Sequence, residues 1–198
     1  MAMMKEIFGY LQQLKDGNEK YLTTETAFLN VSPRTREKTA MDGQAPYAVI
    51  ITCSDSRIIP EAIFSAGIGE LFVIRTAGNT IDGTTLGSIE YAVGHLGVKL
   101  IVVLGHTHCG AVEAAICNKH EEHEYEEIHA EEIHGNLSEI IEEISKAIGQ
   151  EQDSYRAVKL NVEHGCSVIQ EHEFLAIVIG AIYHTASGKV EFLQGNLL

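Results

Sequence analysis

The sequence predicts an α/β fold: a central, mainly parallel β-sheet of about four parallel strands plus a short C-terminal antiparallel strand, flanked by helices. An N-terminal helical arm over about residues 3–30 precedes it. Three observations predict this. The strand-like segments are continuous apolar runs without alternation, as in Val49-Ile-Ile-Thr52 and Ile101-Val-Val-Leu104, so both faces of the sheet are covered. Helix-like segments separate those runs, which is the βαβ rhythm of a parallel sheet. Residues 5–29 instead carry apolar positions at helical spacing, with Ile7, Leu11 and Leu14 followed by Tyr21, Leu22, Phe28 and Leu29.

Taken in order, Pro33, Asp42-Gly43 and Pro46 punctuate a loop after the arm. Residues 47–52 form the first strand, and 60–66 a short helix with Pro60 in its first turn. A second strand covers 71–74, a helix 84–96 and a third strand 99–104. The chain is helical again from Gly110. A further helix covers 153–171, a fourth strand 174–183, and Ser187-Gly188 turns into a last short strand at 190–193. With 198 residues, no internal repeat and no linker composition, one domain over 1–198 is expected.

Composition narrows the function classes. The net charge of −14 disfavours nucleic acid and anionic membranes, which both select a basic surface. The longest apolar stretch, 175–183, is far short of the roughly 20 residues needed to span a bilayer. The N-terminus lacks a signal-peptide core, so a cytoplasmic protein is expected. Four cysteines in a chain of this length do not make a disulfide framework; they point to metal ligands, catalytic thiols or packing. One segment is biased: residues 118–143 hold ten glutamates, four histidines and one lysine. It suits a solvated helical hairpin, or a metal-collecting or pH-sensing face. His120/His123 and His129/His134 miss the i, i+4 spacing of a His-Glu-x-x-His zinc motif by one residue each.

Two strand ends carry the chemistry. The first runs into Cys53-Ser-Asp-Ser-Arg57, and the third into Gly105-His-Thr-His-Cys109-Gly110. In an open parallel sheet, sites form beyond the carboxyl ends of strands where the strand order reverses. If these strands are neighbours, Cys53, His106 and Cys109 converge. Two thiolates and an imidazole suit Zn²⁺, one per chain, and three protein ligands leave a fourth position open, as catalytic zinc sites do. The alternative is core thiols with a satisfied histidine. His108 is two residues from His106 and is expected not to ligate; Cys117 and Cys166 are expected to pack.

Two other roles for Cys53 fail on spacing. A phosphatase-like loop sets cysteine and arginine six apart, whereas Cys53 and Arg57 are four apart; a thioredoxin-like site needs Cys-x-x-Cys, which does not occur. Asp55 and Arg57 fit an open metal site. A bare carboxylate there would bind the ion and close it, but an arginine can hold the carboxylate by charge-assisted contacts. The free oxygen can then orient metal-bound water. An ordinary strand-end salt bridge is the plainer alternative.

Cys53-Ser-Asp-Ser-Arg57 together with Gly105-His-x-x-Cys-Gly110 resembles the β-class carbonic anhydrases. Gly17-Asn-Glu-Lys-Tyr21, Gln44-Ala-Pro46, Pro60-Glu61, Leu71-Phe-Val-Ile-Arg75, Ala77-Gly-Asn79 and Ser88-Ile-Glu-Tyr-Ala92 extend the resemblance across the chain, with Lys20 and Tyr21 as mild departures and the Glu/His-rich segment outside it. The resemblance implies zinc on Cys53, His106 and Cys109, and reversible hydration of CO₂ to bicarbonate and a proton by a zinc-bound hydroxide. It implies Asp55 and Arg57 as a catalytic dyad, with Asp55 a possible fourth ligand in a closed state. It also implies a substrate pocket of Gln44, Phe72, Ala77, Tyr91 and the backbone at Gly110, shared across the interface of a homodimer or tetramer whose N-terminal helices wrap a neighbouring subunit. Competing readings are a carbon disulfide hydrolase-like zinc enzyme on the same scaffold, and a non-enzymatic zinc-binding protein.

Overall fold

The computed structural model describes residues 2–25, 29–118 and 135–193. Five strands form one sheet in the order β2-β1-β3-β4-β5: β1 Ala48–Cys53, β2 Leu71–Thr76, β3 Leu100–His106, β4 Ile177–Tyr183 and β5 Val190–Phe192. The first four are parallel and β5 runs antiparallel to β4, as expected. Around them lie α1 Ala2–Thr23, α2 Pro33–Asp42, α3 Pro60–Ile63, α4 Gly83–Gly94, α5 Gly110–Asn118, α6 Asn136–Ile148 and α7 Ser154–Gln170.

The non-alternating strands are buried on both faces, yet their side chains still alternate between two cores. Ala48 and Ile50 of β1 point to one face, where Ile7, Leu11 and Leu14 of α1 cover them. Val49 and Ile51 point to the other, against Ile89 and Ala92 of α4 and Val162 and Ile169 of α7. The sheet is therefore the middle layer of three. Gly105 lets α7 press close: a Cβ there would stand 2.5 Å from a Val162 methyl. A third cluster closes the carboxyl end of the sheet. It joins Cys53 and Cys109 to Val112 of α5, to Ile141, Ile144 and Ile148 of α6, and to Val158 of α7.

The N-terminal apolar stripe is used within the chain, and α1 ends at Thr23, short of the expected boundary. Phe28 lies outside the described residues. Asn18 clips the helix down: its Nδ2 donates to the carbonyls of Ile63 and Gly188, and its Oδ1 accepts from the Val190 amide.

Residues 33–42 depart from the expected loop and form α2. Ser32 caps the helix by accepting from the Thr35 amide, Pro33 occupies its first turn, and Gly43 ends it at φ 84°. No residue of α2 is buried, so it has no apolar stripe to betray it. Cys117 is exposed on α5 and does not pack in the core; Cys166 is half-buried, and burial pushes its thiol up to about 12. Most of the Glu/His-rich segment, residues 119–134 with all four of its histidines, lies outside the described residues. Among the described residues, no helix is long and apolar enough to cross a membrane.

Candidate metal centre

β1 and β3 are adjacent, and the chain leaves them toward opposite sheet edges, which makes the gap between their carboxyl ends the switch point. Cys53 ends β1, His106 ends β3, and Cys109 sits just before α5. The three side chains offer donor atoms that all lie within 4.8 Å of one another, and all three residues are buried. The two sulfurs are 3.9 Å apart. Tetrahedral zinc with Zn–S bonds of about 2.3 Å places two sulfurs about 3.8 Å apart, so the spacing fits.

The histidine is set to match. His106 Nδ1 lies 3.0 Å from the Thr107 carbonyl, which can only accept, so that nitrogen carries the proton. Nε2 then presents a lone pair to the cluster, and it is buried with no hydrogen-bond partner. Leaving such an atom unpaired is costly unless a cation completes it. The sulfurs tell the same story. Cys109 donates to Cys53, and this contact, with help from the amides of Asp55 and Gly78, holds the Cys53 thiol below its usual value. The same contact and burial push Cys109 upward. Two thiols this close, beside an imidazole lone pair, form a set that a divalent cation could bind with release of their protons.

Asp55 stands over the cluster with one oxygen 3.9 Å from His106 Nε2. Arg57 grips it through a fork. Oδ1 accepts from the Arg57 amide at 2.9 Å and from Nε at 3.0 Å, and Oδ2 accepts from Nη2 at 2.7 Å. Arg57 Nη2 also donates to the His108 carbonyl at 3.0 Å. The Arg57 hydrogen bonds hold the Asp55 carboxyl well below the usual carboxylate range. Arg75 braces the backbone beneath, donating to the carbonyls of Asp55 at 2.7 Å and Cys53 at 3.3 Å.

The remaining sequence-derived pocket residues split into two groups. Ala77 opens the 3-10 turn Ala77–Asn79 beside Cys53, and Gly110 follows Cys109 directly. Gln44, Phe72 and Tyr91 lie elsewhere in the same chain. Phe72 pairs with Val49, four residues before Cys53, or about 13 Å along the strand. Tyr91 sits 6.2 Å from the Phe72 ring, and Gln44 lies beside Gly69, ahead of β2. His108, at φ 57°, is exposed and outside the donor cluster. Arg75, Gly78 and Asn161 support the site without having been singled out by sequence. Arg75 and Gly78 enter the sequence reading only within the family-like runs Leu71–Arg75 and Ala77–Asn79, and Asn161 not at all.

Fold and donor set define an α/β protein whose sheet switch point gathers three buried residues that could hold a metal ion, with an arginine-held carboxylate beside them. Residues 48–190 match the family model described as carbonic anhydrase. The chain is 34% identical over 193 residues to a carbonic anhydrase of Mycolicibacterium smegmatis, covering 90% of this chain and 89% of that one. In structure it is similar to the β-carbonic anhydrase CafA of Aspergillus fumigatus, with a TM-score of 0.67, 28% identity and 81% of each chain covered. It is also similar to a β-carbonic anhydrase of Sordaria macrospora described as tetrameric, with a TM-score of 0.65, 27% identity, and 95% and 97% covered. The chain belongs to the carbonic anhydrase family, in its β class, and with it to that class of enzyme.

Proposed function

We propose that this chain catalyses the reversible hydration of CO₂ to bicarbonate and a proton, using one zinc ion per chain held by Cys53, His106 and Cys109. The observation that carries the reading is the pairing of three buried donors within 4.8 Å with a carboxylate that Arg57 keeps in a fork. Zinc would supply the Lewis acidity that makes water a nucleophile near neutral pH. The chain does the rest. Arg57 holds the Asp55 carboxylate away from the fourth ligand position, and Asp55 accepts a hydrogen bond from the attacking water and orients it. Ala77 offers an apolar wall for CO₂, and the Gly110 amide a donor for the bicarbonate formed.

Gln44, Phe72 and Tyr91 complete the pocket only if a second copy brings them, so the working form is a homodimer or a larger assembly of such dimers. The test is stopped-flow CO₂ hydration at about pH 8.5 on protein of measured zinc content. Rapid turnover with about one zinc per chain is expected. One zinc per chain with no turnover would overturn the reaction while leaving the metal site standing.

A further inference from the structure

Asn161 lies in the middle of α7, on the face that packs against the sheet through Ala157, Val158, Val162 and Ile169. It is only 5% exposed. An amide in such an interface is costly unless it is bonded. Its Nδ2 donates to the Gly78 carbonyl at 2.8 Å, across 83 residues of sequence. Gly78 in turn adopts the left-handed conformation, φ 66° and ψ 19°, within the 3-10 turn after β2. Its own amide donates to the Cys53 sulfur at 3.3 Å. A Cβ on Gly78 would stand 2.5 Å from the Ile144 methyl and 3.2 Å from Ala111 Cβ, so α5 and α6 close the turn from the other side. One residue is thus held at its carbonyl by α7 and aims its N–H at a sulfur of the donor cluster.

We propose that Asn161 is a positioning residue for the metal centre, acting through Gly78 to hold an N–H on the Cys53 sulfur. The inference rests on the proposed metal site. An N–H dipole at a thiolate withdraws electron density and stabilises the anion. Cys53, which accepts from both Gly78 and Asp55, is therefore a weaker electron donor than it would be bare. Loss of the Asn161 contact frees the turn to rotate and loosens that N–H from the sulfur.

The test uses cobalt in place of zinc in the full chain, reading the thiolate-to-cobalt charge-transfer band, with zinc affinity measured by chelator competition. Asn161→Ala and the isosteric Asn161→Asp should move the band to lower energy and weaken zinc binding by about 10-fold, the lower end of outer-shell effects. Ile169→Ala removes packing from the same helix without touching the turn, and should leave band and affinity unchanged. Asn161→Ala with the wild-type band and affinity, or Ile169→Ala reproducing its shifts, overturns the proposal. If neither Asn161 variant folds, the unmodified chain loaded with a spin-half cadmium isotope should show scalar coupling from the metal to the Gly78 amide proton, and absence of that coupling overturns it. Wild-type protein that takes up neither cobalt nor zinc overturns the metal-site reading and this inference with it, a result distinct from a normal centre indifferent to Asn161.

Discussion

The switch point between β1 and β3 and the outer edge at β2 are opposites. At the switch point the carboxylate and the backbone around it are tied. Asp55 is held by Arg57, the Cys53 and Asp55 carbonyls by Arg75, and the turn at Gly78 by Asn161. Side chains of α5, α6 and α7 close in behind. At the β2 edge, Gln44 is exposed, Tyr91 is 47% exposed, and α2 buries nothing. A cavity of about 360 Å³ beside that edge is lined by Leu29, Val31, Ile59 and Leu71 among others. A single chain therefore builds the donor cluster completely, with Ala77 and Gly110 beside it, while Gln44, Phe72 and Tyr91 lie at an open margin. On our proposal, ion chemistry belongs to one chain and substrate shape to the pair.

Substitutions at the two regions should separate these roles. Cys109→Ala removes a donor from the finished end and should leave zinc at a small fraction of one per chain; full occupancy by elemental analysis would break the ligand assignment. Asp55→Ala should keep its zinc and lose about 100-fold or more in turnover, the range of a positioned proton acceptor. Loss of the metal instead would make Asp55 structural. At the open margin, Gln44→Ala should leave zinc content unchanged and cost about 10-fold in turnover, the worth of one hydrogen bond to a charged group. If Gln44→Ala also lowers zinc content, the two regions are not separable.

The smallest effect is one of stability. Arg57 depresses the Asp55 carboxyl, so the stability it adds is complete above the unfolded value of about 4 and is lost only as pH falls through the lower folded value. The difference in melting temperature between wild type and Asp55→Asn should be constant from about pH 5 to 9 and narrow in stronger acid. A difference that changes between pH 6 and 8 would contradict the clamp.

The same contrast governs what could be read beforehand. Strands buried on both faces announced themselves by unbroken apolar runs, and the donor cluster by residue types that a core strand otherwise avoids. Their ends were harder. Arg75 and Thr76 are polar and fall outside the apolar run, but Thr52 and Cys53 pair with them and carry β2 two residues further than expected. The helix α2 escaped because its formation rests on Ser32, Pro33 and Gly43 and not on apolar spacing. Ser-Pro at an N-cap and first helical position was the available signal. Asn161 has no local signature at all, since its partner lies 83 residues away and is a backbone carbonyl.

Asn18 has a consequence for biogenesis. Its amide joins the first helix to residues 170 and 172 positions further on, at Gly188 and Val190. Of the sheet side chains that α1 covers, Ile179, Ala181 and Tyr183 belong to β4. A ribosome therefore delivers α1 well before its seat, which lies up to 172 residues further along the chain. Until β4 emerges, Ile7, Leu11 and Leu14 present an apolar stripe without its final cover, so this helix is exposed to non-native contacts for as long as the intervening residues take to be made.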